Sequence, residues 1–174
     1  MSLLRFTFSF VAVLLFGCTS DIPKEIGSIF VEASPSASPS MRLEVRLPVS
    51  GIGITVMTAA LVPAENILGT RIITSGEADL RQQFLLVQVN RKSAIDIMKY
   101  TKEAIGRHFV LVIDNGVSGQ AVGLMPIDEQ IVDGNLIFHV EKKGLSNAEA
   151  VADINKRLDI SILKLRKLKQ AEGL

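Results

Sequence analysis

The stretch Phe109-Val110-Leu111-Val112-Ile113-Asp114-Asn115-Gly116 decides the fold. Five apolar residues in succession predict a central strand buried on both faces, because a half-exposed strand would alternate. Asn115-Gly116 is a strong hairpin signal, so the chain is expected to return antiparallel from Val117 onward. Before this strand, Ser93 stands at a helix cap position with Asp96 three residues later. Ala94, Ile97, Met98, Thr101, Ala104 and Ile105 then share one helical face. Gly106 can supply the positive φ that ends the helix. Further upstream, Phe84 to Val89 reads as a strand closed by Asn90.

Downstream, Leu136, Phe138 and Val140 alternate with polar or outward positions, the period of a half-buried strand. Ser146 and Glu149 form a capping box. Val151, Ile154, Leu158, Ile162, Leu165 and Leu168 follow at spacings of three and four, predicting a helix to about Lys169. Towards the N-terminus, Met41, Leu43, Val45 and Leu47 alternate with Arg42, Glu44 and Arg46, another strand. Ile52 to Met57 is a short strand after the Pro48 and Gly51 breaks, and residues 59–82 carry no clear pattern. Strands with two interspersed helices give an α+β class: an antiparallel sheet with two helices packed on one face, and Val110, Val112 and Ile113 are expected in a central strand under both helices.

The ends of the chain differ in kind. Arg5 is followed by an apolar run from Phe6 to Phe16, about 11 residues, which suits a signal peptide and is too short to span a bilayer. Leu15-Phe16-Gly17-Cys18 closes it with the single cysteine of the 174 residues. This arrangement resembles the lipobox of bacterial lipoproteins, with Phe16 where that family prefers a smaller residue. The resemblance implies a signal peptide at 1–17, acylation of Cys18 and attachment to the membrane through it. Thr19 after the cysteine implies sorting to the outer membrane, facing the periplasm, where there are two membranes. Residues 18–40, with the low-complexity run Ser34 to Ser40, read as a flexible tether. Within it, Ile26 to Val31 is an apolar piece that docks on the domain or on lipid, and residues 41–174 form the folded domain.

Removing residues 1–17 takes away Arg5 and leaves 18 basic and 18 acidic side chains. Such a balance gives no overall pull towards nucleic acid. Residues 161–174, with Lys164, Arg166, Lys167 and Lys169 against Glu172, carry +3. They read as a solvated helix face whose lysine stems cover apolar surface, with anionic lipid or an acidic partner as the alternative.

The sequence contains no recognisable catalytic constellation. His139 falls on the face of its strand opposite Phe138 and Val140. His108 lies where a helix turns into a strand and could cap that helix. Two histidines without a second ligand type do not make a zinc set. Asp128, Glu129 and Asp133 are the one acid cluster, at spacings that match no calcium loop. Gly51-Ile52-Gly53 lacks the third glycine and helix of a nucleotide loop. We therefore expect no catalytic, metal or cofactor residues.

The segment from Phe84 to Leu158 resembles the head subdomain of the large periplasmic domain of SecD and SecDF. The resemblance rests on Thr101, Ile105-Gly106-Arg107, the strand Phe109 to Ile113, Asp114-Asn115-Gly116, Met125-Pro126, and Ser146-Asn147-Ala148-Glu149-Ala150. Departures are the inserted Asn115 and Ser118-Gly119-Gln120-Ala121 in place of Ser-Ala-Pro. The resemblance implies that fold and a non-enzymatic binding surface for a polypeptide or another envelope component. Two other classes stand beside it: a small hydrolase using Asp114, His108 and Asp128, and a structural spacer between membrane and wall.

Overall fold

The computed structural model describes residues 23–77, 81–171 and 173. In chain order the elements are β1 (Ile26–Val31), β2 (Arg42–Arg46), β3 (Gly53–Met57), β4 (Ile67–Ser75), β5 (Gln82–Val89), α1 (Arg91–Thr101), β6 (His108–Asp114), β7 (Gly119–Pro126), β8 (Asn135–Val140) and α2 (Asn147–Ala171). Six strands form one antiparallel sheet in the order β1-β6-β7-β8-β5-β4, and β2 with β3 makes a separate two-stranded ribbon. The α+β reading holds, with both helices on one face of the sheet: Ile97 of α1 and Val151, Ile154, Leu158 and Ile162 of α2 share a core with Phe109, Leu111, Ile113, Leu136 and Phe138.

β6 is buried on both faces as its apolar run requires, but different partners cover the two faces. Phe109, Leu111 and Ile113 point to the helices. Val110 and Val112 point the other way, into a second core with Leu47, Ile54, Val56 and Ala121. The expectation that Val110 and Val112 pack under the helices is thus corrected. Successive strand side chains alternate faces, and the ribbon supplies the cover on the outer one. β6 is also one strand in from the edge, beside β1, and not at the centre.

At 26–31 the apolar piece docks on the domain, and the flexible tether is corrected there. Ile26 to Val31 pair with Asp114 to Phe109 as the sheet's first strand, with Ile29 and Val31 buried. Gly27, Ile29 and Val31 are buried on the helix side, and Phe30 packs against the second core on the other. Gly27 leaves room for Leu158 of α2: a Cβ there would lie 2.3 Å from Leu158 Cδ2. Just before β1, Glu25 is bound through both carboxylate oxygens to Arg157, at 2.7 and 2.8 Å, and its carbonyl accepts from the Ser161 hydroxyl.

Local signals were mostly right and sometimes displaced. α1 starts two residues before Ser93, because the Asn90 side chain accepts from Ser93 N at 2.9 Å and is the true cap. Ser93 is buried instead and accepts from Asn66 at 3.0 Å. The helix ends at Thr101, short of Gly106, whose N–H donates to Ile127 O at 2.9 Å. The Asn115-Gly116 pair lies in a four-residue loop and not a two-residue turn: Asp114 pairs with Gly119, and Asn115 Oδ1 accepts from Val117 N and Ser118 N. The capping box at α2 forms in full, with Ser146 N and Oγ donating to Glu149 and Glu149 N donating to Ser146 Oγ.

Candidate binding surfaces

The outer face of the sheet is divided into two halves. Over β1, β6 and β7 it is roofed by the ribbon, which is fastened at both ends. Near β1, Ala33 N donates to Thr55 O at 2.8 Å. At the far end the Glu141 carboxylate accepts from Val49 N, Ser50 N and Ser50 Oγ at 3.0–3.1 Å. Beneath the ribbon an apolar cleft of about 220 Å³ remains, bounded by Phe30, Leu43, Val45, Val56 and Val112.

Over β8, β5 and β4 there is no roof among the described residues. Register places Ile73 beside Phe84, Arg71 beside Leu86, and Leu86 beside Ile137 on this face. Ile137 is 44% exposed, and Phe84 and Leu86 are partly exposed. The His139 ring meets Phe84 edge-on, with centroids 6.2 Å apart. β4 ends the sheet, so the backbone groups on its outer side have no strand partner. A cleft of about 370 Å³ adjoins this half, sharing Asn135 and Ile137 and carrying Asp128, Glu129 and Asp133. Asp133 is held below the usual aspartate range because it accepts from the Asn135 backbone N–H and side-chain amide.

Of the residues singled out in the sequence, His108, Asp114 and Asp128 share no hydrogen bond and line no common cleft. His108 and Asp114 stand at opposite ends of β6, about 20 Å apart at strand rise. His108 makes a different contact from the expected helix cap: its Nδ1 is 2.7 Å from Glu32 Oε2, a carboxylate 76 positions away in the chain. No local spacing could have signalled that pair. Asp114 accepts from Gly116 N at 2.7 Å and shapes the hairpin loop. Asp128 lines the acidic cleft, and His139 lies on the outer face as its alternation predicted. Among the described residues no group of three metal-ligating side chains comes together. Cys18 and the signal segment lie outside the described residues. Among those described, no helix is long and apolar enough to cross a membrane.

The basic end of α2 is used on two sides. Arg166 donates to Leu68 O and Lys169 to Glu65 O, which fastens α2 to the start of β4. Lys164 and Lys167 lie on a different side of the helix. On the helix face of the sheet, Asp153 joins the Glu25–Arg157 pair and also accepts from Lys142 at 2.7 Å. Arg157's hydrogen bond is the main reason Glu25 titrates below its usual range. Burial pushes Asp153 upward, but Lys142 and Arg157 together outweigh it and leave it lowered.

No protein-family model matches the chain, and no curated protein matches it. Among solved structures it is similar to SecDF, described as a membrane component that enhances protein export, at 12% identity and a TM-score of 0.47. The similarity covers 80% of this chain and 62% of that one, so the chain spans less than two thirds of that protein. Likeness at this level carries nothing about activity or partners.

Proposed function

We propose that this chain is a lipid-anchored protein of the bacterial envelope that binds a polypeptide partner on the open half of its outer sheet face. The observation that carries the reading is the contrast on one sheet. The same face that is roofed over β6 and β7 leaves Ile73, Phe84, Leu86 and Ile137 side by side, without cover from the described residues. Contiguous apolar surface of this kind marks interaction sites, and the free edge of β4 offers main-chain hydrogen bonds to an extended segment. The acidic cleft beside Ile137 suits a segment that follows apolar residues with a basic one. Anchoring rests on Leu15-Phe16-Gly17-Cys18.

The face, the anchor and the absence of catalysis are each tested separately. A photo-reactive residue at Ile137 is expected to give a discrete protein adduct in intact cells, while one at Ile95, exposed on α1, gives none. Equal labelling from both positions would refute the face. Mass spectrometry is expected to find Cys18 acylated at the mature N-terminus, and Cys18→Ser to release the chain from membranes or leave its precursor uncleaved. The proposed activity is binding and not catalysis, so a stably folded His108→Ala variant is expected to keep the adduct and any envelope phenotype.

A further inference from the structure

Pro23, Lys24 and Glu25 lead into β1 along the side of α2 and share a cleft of about 560 Å³ with Val117 of the β6–β7 loop and with Ile160 and Lys164 of α2. Val117 is 93% exposed, the largest value among the exposed large hydrophobic residues described. Ile160, Leu163, Lys164 and Lys167 fall at i, i+3, i+4 and i+7 on one side of α2, with Ile160 and Leu163 about half exposed. Single exposed apolar residues are ordinary. Here three apolar tips are interleaved with Lys24, Lys164 and Lys167, and the one carboxylate lining the cleft, Glu25, is already bound to Arg157.

We propose that this end of the molecule seats directly on a lipid surface bearing anionic headgroups. The inference rests on the anchoring of Cys18 and adds where the domain lies relative to that anchor. Five residue steps separate Cys18 from Pro23, a reach of at most about 18 Å however the chain is arranged. A tether running to residue 40 would have left the domain free to stand off. Incorporation of 26–31 into the sheet removes that length, and the cleft at Pro23 becomes the part of the domain nearest the bilayer. Apolar tips set among lysines are the surface that an interface of headgroups and acyl chains accepts. β4, the edge of the proposed partner face, lies five strand spacings from β1, about 24 Å along the sheet. Seating the Pro23 end on lipid therefore leaves the partner face accessible.

The chain has no tryptophan, so a single one reports its own surroundings. The full chain carrying Val117→Trp or Ile137→Trp is coupled through the Cys18 thiol to maleimide-headgroup lipid in vesicles containing dibrominated phosphatidylglycerol. Coupling makes the test independent of whether cells acylate Cys18, which is read separately by mass spectrometry. The Val117→Trp emission is expected to be quenched at least twofold and that of Ile137→Trp to be unaffected. Adding Lys24→Glu, Lys164→Glu and Lys167→Glu should bring the Val117→Trp signal to the Ile137→Trp level. Equal quenching at both positions, or quenching indifferent to the three charge reversals, would overturn the proposal.

Discussion

Val112 and Ile137 both lie on the outer face of the same sheet, and their environments could hardly differ more. Val112 is 7% exposed beneath the ribbon, packed with Leu47, Ile54 and Val56, whereas Ile137 is 44% exposed on the uncovered half. Similar side chains on similar strands thus serve stability in one place and remain available for contact in the other. What separates them is a hairpin, β2–β3, that contributes no strand to the main sheet and acts only as a partial roof.

The largest effect is expected from Val112→Asp. It would bury an unpaired charge in the second core, at a cost of several kcal/mol, comparable to the stability of a small domain. We expect loss of the cooperative thermal transition; a soluble variant that melts normally would show that the roof is not structural. Gly27→Ala tests the opposite face. The new methyl would collide with Leu158 in a packed interface, and we expect about 1–3 kcal/mol of destabilisation by denaturant titration.

Glu141→Ala should act more gently and more locally. It removes the carboxylate that gathers Val49 N, Ser50 N and Ser50 Oγ, exposed bonds together worth on the order of 1 kcal/mol. Hydrogen exchange is expected to accelerate in β2 and β3 while β5 and β8 stay protected. Uniform acceleration would mean that the ribbon and the sheet open as one unit.

A further stability effect is set by pH. Glu25 is held below its usual range by Arg157, so its folded value lies under the unfolded one, about 4.3. Its contribution is complete above that range and is lost as pH falls through the lower folded value. The difference in melting temperature between the native chain and Arg157→Gln should therefore be constant near neutrality and narrow in acid. A difference that widens in acid would contradict the assignment.

The sequence and the structure agree at several local patterns. The apolar run at 109–113, the capping box Ser146/Glu149 and the alternation in β8 each report a nearest-neighbour requirement, and each formed where expected. Burial of β6 on both faces was legible, but the second cover was not, because nothing in Met41 to Leu47 says which surface its apolar side will meet. β4 escaped notice because an edge strand covered by α2 on one side has little need of strict alternation, and its pairing slips at Gly69. The Glu32–His108 and Glu25–Arg157 pairs join residues 76 and 132 positions apart, beyond the reach of any spacing rule. The open face could be recognised only once the register had placed Ile73, Phe84, Leu86 and Ile137 together.

Ile137→Asp, read for fold and for partner capture in the same cells, tests the open face most directly. A surface change of this kind is expected to shift stability by no more than about 0.5 kcal/mol. Native-like melting is expected, together with loss of the adduct from a photo-reactive residue placed at Phe84. A normally folded Ile137→Asp protein that still forms this adduct at full yield would contradict the claim that the uncovered half of the sheet is the binding face.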